Sequence, residues 1–434
     1  MNADALRRVV NQCVRCGQCR SACPVFKELN DEAAVARGKL ALLRSFLEGK
    51  DVPTEELQEI LGKCLLCKTC SAQCPSGVAA DELILAGREK LAEKNGLSPV
   101  KKAVFSLLKR RALFDFCLSM ASLGQDFGIK RLPGKRLGAI SRFPMPGLAK
   151  RRVIAPFASR SLRKEYPEVI KVARPKARVA FFTGCMANYI YTGSGKAAID
   201  VLVANNIEVV LPKYQHCCGY PVFTSGDAEG GRLLARHNID VFFEQKVDAV
   251  VTICGSCGSA WRHEYQRLLE GDEVYLKKLA TISKKTYDIA EYLTEVMPLD
   301  TTTMGEVKAH VTIHDPCHLG ARGMGVTKQV RQLVSAIPGV TITEMKEPGR
   351  CCGSGGSFNL VHYELSRDIN DRKIADIAGT GADLVIAGCG SCRMHLTDGL
   401  EQNHESQNVM HTIELVAQAY AAGKKQNKAQ HNIS

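Results

Sequence analysis

Hydrophobic residues in the C-terminal part of the chain fall into short β-branched or aliphatic runs that alternate with segments of helical length. The runs lie at 178–182, 248–253, 310–314 and 383–387, and the longer segments lie at 194–205, 228–246, 327–335 and 360–378. Strands that alternate with helices form βαβ units with parallel strands. The pattern therefore predicts two small Rossmann-like α/β units in this part of the chain.

The N-terminal part has a different, helical pattern. Apolar residues between 31 and 49 recur at the spacing of one helix face, and Leu57, Ile60 and Leu61 continue this pattern in a second helix. Ser98 followed by Pro99 is typical of a helix start. These segments predict a small helical domain followed by a partly helical connector.

The composition is that of a globular protein. Of 434 residues, 45% are hydrophobic and 24% are charged, which excludes general disorder and suggests about three domains. The N-terminus has no apolar signal region, and the longest apolar stretch, 112–123, is short and contains Asp115. We therefore expect a protein of a reducing, cytoplasmic compartment that is not an integral membrane protein.

Nineteen cysteines are too dilute for a disulfide scaffold, and clustered thiols in a reducing compartment indicate metal ligands. Cys13, Cys16, Cys19 and Cys23 follow the spacing C-x2-C-x2-C-x3-C, and so do Cys64, Cys67, Cys70 and Cys74. A proline follows each run, as in bacterial ferredoxins with two 4Fe-4S clusters, where the fourth cysteine binds the other cluster.

This spacing predicts two cubane 4Fe-4S clusters. The expected ligands are Cys13, Cys16, Cys19 and Cys74 for one cluster and Cys64, Cys67, Cys70 and Cys23 for the other. Zinc is the alternative, because C-x2-C is also half of a zinc site. Tetrahedral zinc, however, takes two pairs of ligands rather than two triplets that each have a distant fourth cysteine.

Ten further cysteines form an internal repeat. The first copy contains Cys185, Cys217, Cys218, Cys254 and Cys257, and the second contains Cys317, Cys351, Cys352, Cys389 and Cys392. Equivalent cysteines are 132, 134 or 135 residues apart. Because open α/β sheets place ligands beyond their strand ends, we expect two equivalent thiol sites in a pseudo-twofold domain.

The predicted fold class is therefore a multidomain α/β protein with an N-terminal α-helical ferredoxin domain. The expected boundaries are a two-cluster ferredoxin-like domain at 1–95, a basic connector at 96–175, the two cysteine-rich repeats at 176–300 and 301–424, and a polar tail at 425–434.

The tandem five-cysteine pattern resembles the cysteine-rich CCG domain of heterodisulfide reductases, anaerobic glycerol-3-phosphate dehydrogenases and glycolate or lactate oxidases. The local sequences that carry the resemblance lie at 13–19, 74–78 and 314–318. The order of the domains, a two-cluster ferredoxin followed by two CCG repeats, resembles the iron-sulfur subunit of glycolate oxidase and D-lactate dehydrogenase over almost the whole chain.

The resemblance to heterodisulfide reductases implies that each complete five-cysteine motif holds a non-cubane 4Fe-4S cluster, so that one or two such clusters join the two cubanes. Members of the glycolate oxidase branch often lack some of these cysteines, whereas this chain has all ten. That departure keeps a disulfide-reducing function open. Zinc, or a single cubane in each motif, is the alternative for these sites.

The remaining candidates are weaker. Cys117 lies among apolar residues and is expected to be a buried small side chain. His216, His318 and His395 adjoin the cysteine motifs and are expected to support the ligands rather than to bind metal. No G-x-G-x-x-G fingerprint follows a first strand, so neither a flavin nor a nicotinamide site is expected in this chain.

The connector is strongly basic. Residues 100–178 contain 20 Lys or Arg and four Asp or Glu, so their net charge is +16. This exceeds the net charge of +13 of the whole chain. Cationic positions such as Lys101, Lys109 and Lys130 accompany an apolar helical pattern, which suits the surface of an anionic membrane leaflet. Docking to a partner subunit is the alternative, and nucleic acid is not an expected partner.

Together, these features predict an electron-transfer subunit without dehydrogenase activity of its own. We expect it to take electrons from the FAD of a partner dehydrogenase subunit that oxidises glycolate or D-lactate, and to pass them to quinone or another carrier at the inner face of the membrane. The alternatives are a heterodisulfide-reductase-type subunit, the iron-sulfur subunit of an anaerobic glycerol-3-phosphate dehydrogenase, and a redox sensor or scaffold.

Overall fold

The computed structural model describes residues 3–134, 138–143 and 151–431. Its N-terminal part is helical. The helices are α1 (Ala3–Val10), α2 (Gln18–Ala22), α3 (Pro24–Leu29), α4 (Ala36–Leu47), α5 (Thr54–Gly62), α6 (Thr69–Ala72) and α7 (Ala80–Asn95). The helix predicted at 31–49 is thus α4, preceded by one 3-10 turn at Glu32–Ala34. Leu6, Leu40, Leu43 and Leu83 form its core, against which Cys13 and Cys74 pack.

The connector contains two helices and a small sheet. Helix α8 (Pro99–Lys109) begins where the Ser98 hydroxyl accepts a hydrogen bond from the backbone N–H of Lys101, as the sequence predicts. It is followed by α9 (Arg111–Gly128). Strands β1 (Ile129–Arg131), β2 (Ala139–Ser141) and β3 (Val153–Ile154) then form an antiparallel sheet that the sequence analysis did not predict.

The first cysteine-rich repeat is a five-stranded sheet with helices on its faces. Its elements are α10 (Leu162–Glu165), β4 (Val169–Ile170), β5 (Ala177–Phe182), α11 (Met186–Tyr189), α12 (Thr192–Ala204), β6 (Ile207–Val210), α13 (Tyr220–Phe223), α14 (Ala228–Phe243), β7 (Ala249–Thr252), α15 (Gly255–Ser259), α16 (Tyr265–Leu268), α17 (Glu273–Ser283), β8 (Thr286–Asp288) and α18 (Ile289–Glu291). The strand order is β4-β6-β5-β7-β8, and only β4, from the predicted connector, is antiparallel.

The second repeat has the same plan with four parallel strands in the order β10-β9-β11-β12. Its elements are β9 (Ala309–His314), α19 (Lys328–Ser335), β10 (Val340–Ile342), α20 (Phe358–Val361), α21 (Tyr363–Ala378), β11 (Leu384–Ala387), α22 (Gly390–Gln402), β12 (Asn408–Met410) and α23 (Thr412–His431). The helix predicted at 360–378 is interrupted at His362, and α23 extends into the predicted polar tail. The predicted multidomain α/β fold class is confirmed.

The two repeats pack against each other and share a core. Helix α12 of the first repeat packs on α23 of the second, and buried residues of both sheets, such as Val209 and Ile313, belong to one hydrophobic cluster. The helical domain docks beside this pair through ion pairs from Lys68 to Glu264 (2.7 Å) and from Arg267 to Glu89 (3.0 Å). Cys67 of the helical domain and eight of the ten repeat cysteines are buried in this arrangement.

Candidate metal centres

The first ferredoxin-type thiol site lies in the loop between α1 and α2. Cys13, Cys16 and Cys19 line one pocket together with Cys70 of α6 and with Cys74, which comes from the loop before α7, and Cys16 is the exposed member. Burial raises the pKa of the Cys19 thiol, while a hydrogen bond from Arg37 opposes that rise. The structure therefore places Cys74 with the first triplet, in the crossed arrangement that the ferredoxin spacing predicts.

The second ferredoxin-type site is more deeply buried. The Cys23 sulfur accepts a hydrogen bond from the backbone N–H of Phe26 (3.5 Å) at the start of α3. Burial raises the pKa of Cys23 to about 11, and the nearby thiols of Cys64 and Cys67 contribute. Burial and the same neighbours also raise the pKa of Cys70. Cys23 thus lies with the second triplet rather than with its own, although the assignment of ligands stays a prediction.

A buried cation and a half-buried one flank this second site. Lys39 on α4 is 1% exposed and lies near Cys64 and Cys23, where burial lowers the pKa of its ammonium. Arg88 on α7 donates hydrogen bonds to the backbone carbonyls of Cys64 (2.6 Å) and Thr224 (2.7 Å), so it also joins the ferredoxin domain to the first repeat. Fixed positive charges of this kind favour thiolate ligands and the reduced state of a cluster.

The thiols of each cysteine-rich repeat also converge. Within the first repeat, the thiols of Cys185, Cys217, Cys218, Cys257 and Cys254 are neighbours in that order. Within the second repeat, the thiols of Cys317, Cys351, Cys352, Cys392 and Cys389 are neighbours in the same way. Eight of these ten cysteines are buried, and Cys185 and Cys317 are half-buried. A buried set of donors made only of thiols fits iron-sulfur clusters.

Contacts between units join these groups into one row. The thiol of Cys67, in the ferredoxin domain, lies next to the thiol of Cys351 in the second repeat. The thiol of Cys389, in the second repeat, lies next to that of Cys254 in the first. The order in space is therefore the first ferredoxin-type site, the second, the second repeat and finally the first repeat. The sequence alone did not indicate this order.

The glycine inside each C-x2-C pair allows the two repeats to approach closely. A Cβ atom at Gly390 would lie 2.8 Å from Cβ of Met186, which follows Cys185 in the other repeat. A Cβ atom at Gly255 would lie 2.8 Å from Cβ and 2.9 Å from the backbone nitrogen of Leu319. These two pseudo-symmetric contacts lie next to the junction of Cys254 and Cys389, so they fix the distance between the two sites.

The predicted histidines support the site loops. The backbone N–H of His216 donates to Asn238 (2.8 Å), and burial lowers the pKa of the His216 imidazole to about 4. His318 contacts the Tyr220 hydroxyl (3.0 Å), and His395 contacts the Ser366 hydroxyl (2.9 Å). Cys117 is half-buried on α9, so the prediction that it is a fully buried side chain was wrong. Helix α9 lies at the surface, and several of its apolar side chains are exposed.

The sequence analysis missed His314 as a site residue, although it lies in a motif used for the resemblance. It is 1% exposed at the end of β9, and its imidazole nitrogen, Cys352 Sγ and Cys392 Sγ all lie within 4.8 Å of one another. The hydrogen bond with Cys351 is the largest cause that lowers the pKa of Cys352, and Cys392 and His314 add to it. A histidine at the end of a buried strand, three residues before Cys317, was the available signal.

Comparison with known proteins agrees with this architecture. The 4Fe-4S dicluster domain matches residues 9–78, and the cysteine-rich CCG domain matches residues 179–261 and 311–397. The probable glycolate oxidase iron-sulfur subunit of Bacillus subtilis (strain 168) is 30% identical over 95% of this chain and 94% of its own length. This chain belongs to the family of glycolate oxidase iron-sulfur subunits.

Other relatives in the comparison extend this picture. The glycolate oxidase iron-sulfur subunit of Escherichia coli (strain K12) is 28% identical over 96% of both chains. Lactate utilization protein A of Bacillus thuringiensis (strain Al Hakam) is 31% identical over 55% of this chain and 98% of its own length. A solved structure of a hypothetical protein from Helicobacter pylori covers 91% of this chain and 70% of its own, with a TM-score of 0.55 and 9% identity, and so resembles it in fold.

Proposed function

We propose that this chain is the iron-sulfur electron-transfer subunit of an FAD-dependent 2-hydroxy acid dehydrogenase whose substrate is glycolate or D-lactate. The observation that carries the proposal is the row of eighteen thiols that runs through the ferredoxin domain and both repeats, with thiol contacts from Cys67 to Cys351 and from Cys389 to Cys254. Membership of the family of glycolate oxidase iron-sulfur subunits supports the choice of substrate class.

The chemistry requires a division of labour. Oxidation of a 2-hydroxy acid to the 2-oxo acid releases two electrons and two protons, and a flavin can accept both electrons. Bound clusters would supply one-electron carriers whose potentials the protein can set over a wide range. The flavin therefore belongs to the partner subunit. Clusters in this chain would accept the two electrons of the flavin one at a time.

The thiols of this chain are arranged to hold such carriers in a sequence. Cys16 is exposed at one end, where a partner can approach. Elsewhere in the row, Cys67 and eight of the ten repeat thiols are buried, and the buried Lys39 and the half-buried Arg88 lie beside the second site. Burial excludes solvent, and the fixed cations help to set the potential of that site.

A specific observation favours disulfide reduction as a second candidate function. A cavity of about 440 Å³ between the ferredoxin domain and the second repeat reaches Cys317 and Cys351 and is lined by Arg322 and Arg350. A small thiol or disulfide could enter there and meet the second repeat directly. In its wall Glu28 pairs with Arg372 and Glu347 pairs with Arg350, whereas Arg322 donates to the Thr69 hydroxyl and the Gly349 carbonyl.

We also propose that the connector associates reversibly with a membrane surface. In the described residues no helix is both long and apolar enough to cross a bilayer. Helix α9 nevertheless exposes five apolar side chains at heptad-like spacing, each between 46% and 80% exposed: Leu113, Phe116, Met120, Leu123 and Phe127. We call these residues the α9 stripe. Lys130 and Arg131 follow the stripe, as expected for an interfacial helix on anionic lipid.

The test of the main proposal is reconstitution. The anaerobically purified chain alone should not oxidise glycolate or D-lactate with an artificial dye, and activity that reduces the clusters should appear on addition of an FAD-containing dehydrogenase subunit. Oxidation of either acid by the flavin-free chain alone would contradict the proposal. Turnover of a low-molecular-weight disulfide by the chain alone would favour the second candidate.

A further inference from the structure

The two repeats are nearly equivalent, but they differ at one position inside the thiol sites. Phe182 and His314 are the last residues of β5 and β9 and are 132 residues apart, the same separation as Cys185 and Cys317. The Phe182 ring packs against Phe242 (5.5 Å between centroids) and Trp261 (5.6 Å). The first site is therefore bordered by an apolar ring at the position where the second site has an imidazole.

The surroundings of His314 leave it without an ordinary structural role. It is 1% exposed, neither Nδ1 nor Nε2 has a nitrogen or oxygen partner within the described residues, and the polar group that the imidazole faces is the thiol of Cys352. Leaving a buried polar group unsatisfied is destabilising, so such a group requires an explanation. His395 and His411, which are also buried near the cysteines, both have hydrogen-bond partners at 2.9 Å.

The geometry around His314 matches a set of metal ligands. Its imidazole nitrogen and the sulfurs of Cys352 and Cys392 are mutually within 4.8 Å, and all three residues are buried. Neutral imidazole and thiolate are common ligands of iron and zinc. The contact joins three segments of the second repeat: the end of β9, the Cys-Cys-Gly loop and the start of α22.

We propose that His314 is a metal ligand of the second cysteine-rich site, where it binds together with Cys352 and Cys392 and makes this site chemically different from the first. The inference rests on the proposed function in one respect, namely that the second repeat holds a cluster or metal ion. The first site then has sulfur ligands only, because Phe182 cannot bind metal. Replacing thiolate by imidazole ligands raises the potential of iron-sulfur centres.

This difference has a consequence for electron flow. The second repeat lies between the ferredoxin domain and the first repeat, through the contacts of Cys67 with Cys351 and of Cys389 with Cys254. A centre with an imidazole ligand at that position is easier to reduce than an equivalent all-thiolate centre. The second site thus acts as the electron-accepting step between the cubane pair and the first repeat.

The experiment uses the full chain, purified anaerobically after labelling with ¹⁵N-histidine. Pulsed EPR is recorded on samples poised across a redox titration, alongside iron analysis. We compare the wild type with His314→Phe. This variant gives the second repeat the residue, phenylalanine, that the first repeat has at the equivalent position, Phe182. The control is His310→Gln at the half-exposed start of the same strand, where the imidazole contacts Thr343 (2.8 Å).

We expect a strong, label-sensitive nitrogen coupling in the wild type and in His310→Gln, and its loss in His314→Phe. A second variant, His314→Cys, should retain its iron and shift the midpoint potential of one centre downward. About 16 iron atoms per chain without such a coupling, together with an unchanged midpoint in His314→Cys, would overturn this inference alone. About 8 iron atoms per chain, with no metal in the second repeat, would contradict both this inference and the proposal that the repeats hold clusters.

Discussion

The thiol of Cys67 and the thiol of Cys351 meet across the boundary between the ferredoxin domain and the second cysteine-rich repeat. Both residues are buried, and both belong to a small hydrophobic cluster with Val25 and Phe358. The ferredoxin domain therefore contacts the second repeat through a pair of thiols, although the first repeat comes before the second in the chain. This contact makes the order of the sites a testable property.

Loss of the thiol site in the second repeat should interrupt electron transfer along the row of sites. We predict that Cys352→Ser prevents electron exchange between the ferredoxin clusters and the first repeat, because the second site lies between them. In the complex with its dehydrogenase subunit, rapid-freeze EPR after substrate addition should show the centres on one side reduced and those on the other side oxidised.

Cys217→Ser is the matched control, because it disrupts the first repeat's site at the end of the row. The other three centres should still exchange electrons in this variant. Equal reduction of the first repeat's centre in Cys352→Ser and in the wild type would show that electrons take a different route.

The close contact between the repeats predicts a large effect of a single methyl group. Gly390→Ala places a Cβ atom 2.8 Å from Cβ of Met186 and should destabilise the fold by about 1–3 kcal/mol, since overpacking forces backbone shifts. Anaerobic thermal unfolding checks this. Gly124→Ala on α9 is the control: its Cβ atom would meet nothing within 4 Å, so stability should be unchanged or slightly increased. Equal stability of the two variants would refute the contact.

Much of this architecture could be predicted from the sequence. Strands β5, β7, β9 and β11 are long enough to show continuous apolar runs, and cysteine spacing identified both kinds of motif. The other strands were missed: β1 to β4, β6, β8, β10 and β12. All of these except β6 have only two or three residues, which cannot show a period.

The contacts between motifs could not be predicted. Cys67 meets Cys351, and Cys254 meets Cys389, only because three separately folded units dock, and no local pattern records that docking. The unpartnered state of His314 likewise depends on what surrounds it in space. Cys117 is half-buried because α9 lies at the surface. The many apolar residues of that helix had indicated a buried position instead.

Stability should fall at mildly acidic pH because of His411. Its Nε2–H donates to the Ile253 carbonyl (2.9 Å), its Nδ1 accepts from the backbone N–H of Ile413 (3.2 Å), and burial lowers the pKa of the imidazole to about 4 from 6.5. Between those values only the unfolded chain binds the proton. The free energy of unfolding should therefore decrease by roughly 1.4 kcal/mol per pH unit as the pH falls from about 6.5 to about 4.

Anaerobic unfolding of the holoprotein between pH 7 and 4.5 measures this slope. In His411→Gln the slope should become shallower, although not zero, because His216 is also held neutral by burial. His404→Asn, at an exposed position after α22, is the control and should retain the full slope. An identical slope in His411→Gln and the wild type would assign the pH dependence to other groups.

The α9 stripe predicts salt-sensitive membrane binding. Each cation near an anionic leaflet contributes about 1 kcal/mol, and the attraction is screened beyond about 8 Å at physiological salt. Co-sedimentation with anionic vesicles should weaken as salt is added, and Phe116→Ser with Leu123→Ser should abolish it. Val274→Ser, an exposed apolar residue on α17, should have no effect. Equal binding to neutral vesicles, or no binding to either lipid while the partner complex still forms, would assign the stripe to protein docking.

The account depends most directly on how many clusters this chain holds. Iron, acid-labile sulfide and zinc should be measured per chain after anaerobic purification. Four 4Fe-4S clusters predict about 16 iron atoms, and the Cys218→Ser and Cys352→Ser variants should each lose about four. About 8 iron atoms in the wild type, with zinc in the cysteine-rich repeats and no further loss in either variant, would contradict a relay that passes through both repeats.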